Sequence, residues 1–258
     1  GAYFSFLKNT PVEINEAEVP VKILRYGLAK DSGGAGYWRG GTGTTLKFQT
    51  FSPNTTITAR NRDRCLFTPW GASGGKAGKP SSFYLNPGSN REVNLGNTDV
   101  VSIDPGDVIE ITSAGAGGAG NALAREPSRV LKDVQCRLVS VSAARDEYGV
   151  VIAGGEIDEQ ATLALRERRG SETKVDGFGF NAERLEFEST WTRSNYSVLI
   201  NALLKLPVDW RFFVKHRVFE SVDNLRLSGT KVCEDDIKAA LSKVANDYPE
   251  ISSELAFA

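Results

Sequence analysis

Thirteen residues constrain this chain more than any others: Asp31–Gly43, read Asp-Ser-Gly-Gly-Ala-Gly-Tyr-Trp-Arg-Gly-Gly-Thr-Gly, six of them glycine. Glycine tolerates positive φ and lets a second backbone come close. Such a run makes neither a regular helix nor a stable central strand. It is not a flexible linker either, because Tyr37, Trp38 and Arg39 sit inside it. Two readings stay open. One is a buried structural loop plugged by its own aromatics. The other is a backbone cradle for an anion, with Arg39 as the charged partner. The common phosphate templates do not fit. No Gly-Lys-Ser/Thr ending follows, and Gly34, Gly36 and Arg39 fail the dinucleotide pattern at its third glycine.

Two more glycine blocks follow, Thr68–Pro80 and Ala114–Asn121. Trp70, between Pro69 and Gly71, reads as an anchored turn. Around these blocks lie short runs of β-formers: Val21–Leu28, Thr44–Phe51, Thr55–Arg60, Phe83–Asn86, Val100–Ile103 and Val108–Thr112. Ser52-Pro53-Asn54 between two of them suggests a hairpin. Asn86-Pro-Gly-Ser and Asp104-Pro-Gly-Asp read as turns, and Asp104 with Asp107 as turn chemistry. Pro11–Pro20 reads as a solvated turn, and the apolar Gly1–Leu7 as a segment that pairs with a strand. Arg60, Arg62 and Arg64 alternate, so a strand places them on one face, with Asp63 opposite. They form either a charged edge or a comb for carboxylate or phosphate.

The pattern then turns helical. Pro127–Val134 reads as a short helix with Leu131 and Val134 inward, followed by a strand over Leu138–Val141. Asp158 caps a helix over Glu159–Arg169 that ends at Gly170, with Leu163 and Ala164 inward and Arg166 and Arg168 exposed. Leu185–Thr192 reads as a strand, Ser194–Leu206 as a helix capped by Ser194, and Asp235–Tyr248 as a helix with Ile237, Leu241 and Val244 aligned. Ser171–Gly179 reads as a boundary or loop. The expected fold class is α+β: a β-rich domain over 1–155 with three glycine-rich loops, then a mixed, largely helical region over 156–258.

Composition removes several functions. The net charge of −1 gives nucleic acid and anionic membranes no purchase. In Trp210–Phe219, aromatics alternate with bases, yet Phe212, Phe213, Val218 and Phe219 read as core. No apolar run reaches the ~20 residues of a membrane span. Cys65, Cys136 and Cys233 are scattered and odd in number, so no disulfide framework or zinc site is indicated. A reducing, cytoplasmic setting is expected. His216, the one histidine, reads as a solvated or interface residue rather than a general base. No cluster of His, Asp and Glu suits a metal, and no nucleophile elbow is present.

Asp31-Ser-Gly-Gly-Ala-Gly-Tyr-Trp-Arg-Gly-Gly resembles the signature of the hydantoinase B family, the B component of ATP-dependent oxoprolinases and hydantoinases. Asn9-Thr-Pro-Val-Glu, Pro69-Trp-Gly-Ala-Ser-Gly-Gly, Ser113–Arg125 and Tyr148-Gly-Val-Val match further family segments in order. The third block departs: Ala116, Ala119 and Ala122 stand where the family carries glycine, an aromatic and proline. The resemblance covers residues 8–169, and more loosely the tail to about Glu220. With no methionine in the chain, it implies a carboxy-terminal fragment or split subunit. It also implies a multi-subunit enzyme. An ATP-binding A subunit with Mg²⁺ phosphorylates an amide or enolised carbonyl, and the B subunit receives the activated species. Ketone carboxylases belong to the same family, and a non-catalytic scaffold role is the third alternative. The implied partners are that A subunit, the N-terminal half of the B subunit and a small-molecule substrate, in a hetero-oligomer. This chain binds no cofactor of its own in that picture, and any divalent metal belongs to the other half. The catalytic residues are not indicated. Asp31, Arg39 and Arg64 are the expected contacts to the intermediate, with Trp70 as a wall.

Overall fold

The computed structural model describes residues 10–59, 64–170 and 177–255. They form an α+β structure whose strands lie mostly in the N-terminal part. Contacts divide the chain into two units, 1–181 and 182–258, so the boundary expected after residue 155 falls inside the first. The expected pairing of Gly1–Leu7 lies outside the described residues, as do Arg60, Arg62 and Asp63 of the arginine run and most of the 171–179 loop.

The first unit opens with helix α1 (Val12–Glu18) where the sequence suggests a turn. Strands β1 (Val21–Leu28), β2 (Thr44–Thr50), β3 (Thr55–Thr58), β4 (Gly71–Ala72), β5 (Ser82–Leu85), β6 (Val93–Asn94), β7 (Val100–Ile103) and β8 (Val108–Thr112) follow. Five of them form an antiparallel sheet in the order β1-β2-β8-β5-β6. Residues directly opposite each other share a face. The rows Phe48–Ile109–Leu85 and Leu46–Ile111–Phe83 therefore build one apolar face, in which Phe83 and Ile109 are fully buried. The opposite face carries the Lys47–Glu110 ion pair at 3.3 Å.

The expected β2–β3 hairpin does not form. β3 pairs with β7 instead, and Ile57, Ala59, Val101 and Ile103 join the same core as Phe83. The reason lies at Thr50. Its N–H donates to the Asp107 carbonyl at 3.1 Å, and its carbonyl accepts from Gly106 N–H at 2.7 Å. The end of β2 is thereby held on the Asp104–Asp107 turn, and the chain crosses over instead of folding back.

Asp107 anchors that turn. Its carboxylate accepts from the Asn86 amide at 2.8 Å and from Asp104 N–H at 2.9 Å, and pairs with Arg91 at 3.1 Å. Burial pushes its pKa up, but the hydrogen bonds from Asn86 and Asp104 and the charge of Arg91 outweigh that and hold it below the ordinary 3.8. A carboxyl with a depressed folded pKa adds stability that is complete above its unfolded value and lost as the pH falls through the folded one. Asp107→Asn is therefore expected to lower stability by about 1–3 kcal/mol at pH 7. Urea midpoints of the two proteins should converge as the pH drops below 3.8. A gap that stays constant to pH 3 would contradict this account.

Helices α2 (Pro127–Gln135) and α3 (Val141–Tyr148), the short pair β9 (Ile152–Ala153) and β10 (Glu156–Ile157), α4 (Glu159–Arg169) and β11 (Phe178–Gly179) complete the unit. Leu138–Val141, expected as a strand, supplies the α2–α3 connection and the first residue of α3. Val130, Val139, Ala144, Tyr148 and Val150 form a second core that also takes Ala35 and Ala122. α4 has its expected caps: Asp158 accepts from Ala161 N–H at 2.9 Å, and Gly170 ends the helix. Its inward face differs. Leu163 is 61% exposed, whereas Thr162 is buried and accepts from Val151 N–H at 3.0 Å. Arg166, expected outside, donates to the Arg125 carbonyl at 2.7 Å and to that of Tyr148 at 3.1 Å.

The second unit is helical: α5 (Ala182–Thr190), α6 (Arg193–Lys205), α7 (Val208–Leu227), α8 (Glu234–Asp247) and α9 (Ser252–Leu255). The segment expected as a strand at Leu185–Thr192 is mostly α5. Arg184 and Glu188 pair at i,i+4, and Phe187 packs on Phe219. Thr192, not Ser194, caps α6, accepting from Asn195 N–H at 3.3 Å. The core holds Leu199, Val214, Val218, Val222, Ile237 and Leu241. Val214, Val218 and Val222 take the inward stripe of α7, which leaves Phe212 81% exposed rather than in the core. His216 lies beside it, its ring nearly parallel to that of Phe212 and 3.3 Å from Glu220. This is the solvated position expected for it.

Candidate functional site

The three glycine blocks lie against one another, backbone on backbone. A methyl on Gly115 would sit 1.8 Å from the Ser32 carbonyl oxygen, on Gly117 1.8 Å from that of Trp70, and on Gly40 2.0 Å from that of Ala116. Real atoms do not approach so closely, so these positions exclude any side chain. The requirement is close approach and not unusual torsions, because none of these glycines has a positive φ. Their backbone donors are used within the stack. Gly34 N–H donates to Ala116 at 2.8 Å, Gly118 to Lys76 at 2.9 Å, Gly78 to Pro69 at 3.0 Å and Gly115 to Lys79 at 3.1 Å. Donors committed in this way are not offered to an anion. The structural reading of the glycines fits this arrangement, and the cradle reading loses these groups.

Arg39 is likewise engaged. Its Nε lies 3.2 Å from the Asp133 carboxylate, and it donates to the Gly40 carbonyl at 2.7 Å. Arg125 binds the same carboxylate oxygen at 2.9 Å and the Tyr37 carbonyl at 2.7 Å. The three side chains are largely buried. Tyr148 stands in this cluster, and burial pushes its hydroxyl up to about 12, so it stays neutral at ordinary pH. Asp31, at positive φ, accepts from Ser140 N–H at 2.7 Å and donates its own N–H to Leu138 at 2.9 Å. It ties the first glycine block to the α2–α3 connection. Arg64 is exposed and offers its carbonyl to Ser81 N–H at 3.0 Å. Trp70 is 47% exposed, its ring edge-on to Phe178 and Phe180. Among the described residues, the four expected contacts share no hydrogen bond or ion pair. Two clefts of 470 and 370 Å³ are lined by other residues, chiefly of α3 and α4 in the first and of α2 and α4 in the second.

A feature that sequence reasoning missed runs across the stack. Trp38 bridges Ala119, Ala119 bridges Ala72, and Ala72 pairs with Phe178. These four residues form one cross-strand row, hence one face. Trp38 is 59% and Phe178 62% exposed. Arg129 of α2 lies 5.4 Å from the centre of the Trp38 ring. The outward aromatics were visible in the sequence, but their shared row depends on pairings between residues 47 to 106 positions apart that no local signal encodes.

Residues 2–122 match the hydantoinase B/oxoprolinase family. Over this part the chain is similar to that family. The caprolactamase subunit beta of Pseudomonas jessenii is 38% identical over 174 residues, which cover 63% of this chain and 29% of that protein. The crystal structure of the ATP-dependent caprolactamase from the same organism superposes with a TM-score of 0.55 at 35% identity, over 64% of this chain and 29% of that one. The nucleotide-free structure of acetone carboxylase superposes at 0.54 over 89% of this chain and 35% of its own, at 18% identity, a likeness of fold alone. The chain spans less than a third of the length of the first curated relatives it matches. The three stacked glycine blocks lie within the matched residues 2–122, with Ala119 bridging Trp38 and Ala72.

Proposed function

We propose that this chain is part of an ATP-dependent amidohydrolase of the hydantoinase, oxoprolinase or lactamase type, in which it helps shelter a phosphorylated cyclic amide made by a partner subunit. An unstrained amide is a poor electrophile, and phosphorylation turns its oxygen into a leaving group. The activated species must then be kept from bulk water until its proper acceptor arrives. The observation that carries the reading is the 38% identity to the caprolactamase beta subunit over 174 residues. The stack supplies a rigid floor. Arg64 and Trp70 are the expected contacts that stay exposed, whereas Arg39 and Asp31 hold the floor in place. ATP and Mg²⁺ are assigned to an A-type partner and any divalent metal to the other half of the B subunit, in a cytoplasmic hetero-oligomer.

The test is to purify the chain with its ATP-hydrolysing partner and supply caprolactam, hydantoin or 5-oxoproline. Ring-opened acid formed in step with ATP consumption is the expected result. Arg64→Ala should cut product formation about tenfold while ATP hydrolysis continues, the signature of a lost intermediate. Absolute dependence on bicarbonate with no ring opening would make the complex a carboxylase. Full activity in Arg64→Ala and Trp70→Ala together would leave the chain a scaffold.

A further inference from the structure

We propose that the row Trp38–Ala119–Ala72–Phe178 is a binding face for a cyclic organic anion: a ring held between the aromatics, with its anionic group at Arg129. The walls are exposed aromatics on the two outer strands, and Trp70 extends the second wall through its contacts with Phe178 and Phe180. The two inner positions carry only methyl groups. Adjacent strands lie about 4.8 Å apart, so three steps put the outer strands about 14 Å apart. That leaves room for one ring above the alanines once each wall has taken its own thickness. The floor cannot yield, because Gly71, Gly75, Gly117 and Gly118 beside it are in backbone contact with their neighbours. A preorganised apolar slot of this kind holds a flat ligand at little ordering cost.

Arg129 supplies the charge. Its guanidinium lies over Trp38, and among the described residues no carboxylate pairs with it. The neighbouring Arg39 and Arg125 share the single carboxylate of Asp133. This corner therefore carries an excess of positive charge beside an exposed indole, which suits a ligand with a ring at one end and a carboxylate or phosphoryl group at the other. Choosing a phosphorylated cyclic amide as the natural occupant rests on the function proposed above. The ring-plus-anion chemistry stands on the geometry alone.

Phenyl phosphate is a suitable probe, titrated into the full chain and followed by tryptophan fluorescence and by ¹⁵N shifts of the Trp38 and Trp70 indoles. Saturable binding is expected. Trp38→Leu and Arg129→Gln should each weaken it about tenfold, and Ala119→Leu, which fills the floor, should abolish it. Both Trp38 and Arg129 are surface residues, and unchanged melting curves would show that the variants fold. Binding of inorganic phosphate or benzyl alcohol as tight as that of phenyl phosphate would overturn the proposal, as would no saturable binding or binding indifferent to all three variants. If the assembled complex with Ala119→Leu still opens lactam rings at the wild-type rate, the face is not the ring site, yet the amidohydrolase reading survives. If phenyl phosphate binds as described but no cyclic amide is turned over, the face stands and that reading falls.

Discussion

Gly117→Ala is expected to leave the first unit unable to reach its native packing, a loss of about 4 kcal/mol or more, against the 1–3 kcal/mol of ordinary core overpacking. The new methyl would sit 1.8 Å from the Trp70 carbonyl oxygen and 2.4 Å from its carbon. Neither side can step back. On one, Ala72 N–H is bonded to the Gly118 carbonyl at 2.9 Å; on the other, Gly78 N–H is bonded to Pro69 at 3.0 Å. Moving either segment breaks a ladder that runs through all three blocks. Total native stability is of order 5–15 kcal/mol, so one such methyl removes much of it. The control is Gly27→Ala in β1, where nothing lies within 4 Å of the added carbon. That change should stay within about 0.5 kcal/mol. Urea unfolding followed by tryptophan fluorescence decides the matter: equal midpoints for the two variants would mean that the glycines are not there for contact.

This contrast also shows what the sequence could and could not convey. Glycine blocks, turns and most strands of the first unit are local signals, and the chain obeys them. Val108–Thr112 and Val100–Ile103 lie where their β-formers place them. Strand partners are not local. Thr44–Phe51 and Thr55–Arg60 have hairpin spacing, yet the bonds between Thr50 and the Gly106–Asp107 turn send the second strand to β7. Leu185–Thr192 has the composition of a strand, but Phe187 meets Phe219 only because α7 is there to meet it. Helix faces fail for a similar reason. Thr162 turns inward and Leu163 outward because Val151 N–H and two carbonyls need the donors and acceptors that Thr162 and Arg166 supply. The candidate site was legible as residue types and not as roles. Arg39 and Trp70 share adjoining glycine blocks, yet one arginine is spent on a buried aspartate that nothing in the sequence marks. Asp133 stands in an ordinary helical segment, eight residues after Arg125 and 94 after Arg39.

Asp133→Ala is accordingly expected to be the most damaging change outside the glycine stack. Its carboxylate is the shared partner of Arg39 at 3.2 Å and Arg125 at 2.9 Å, both largely buried. Removing it leaves two largely buried cations beside Tyr148 without their shared carboxylate, and breaking a buried pair from one side costs about 3–5 kcal/mol. Asp133→Asn keeps the shape and one acceptor but not the charge, and should fall between wild type and alanine. Arg39→Met in the Asp133→Ala background removes one of the stranded cations. The double variant should then be less destabilised than the two single changes summed, by a coupling of about 0.5–3 kcal/mol. Added salt should change little, because the cluster is shielded from solvent. The same cycle separates the two meanings of Arg39. If Arg39→Met unfolds no more easily than wild type, and shows no coupling to Asp133, its guanidinium is free to meet a ligand and the anion-partner reading returns. If the coupling is found, Arg39 is a brace that holds the first glycine block on α2, and any loss of turnover in its variants follows from the floor giving way.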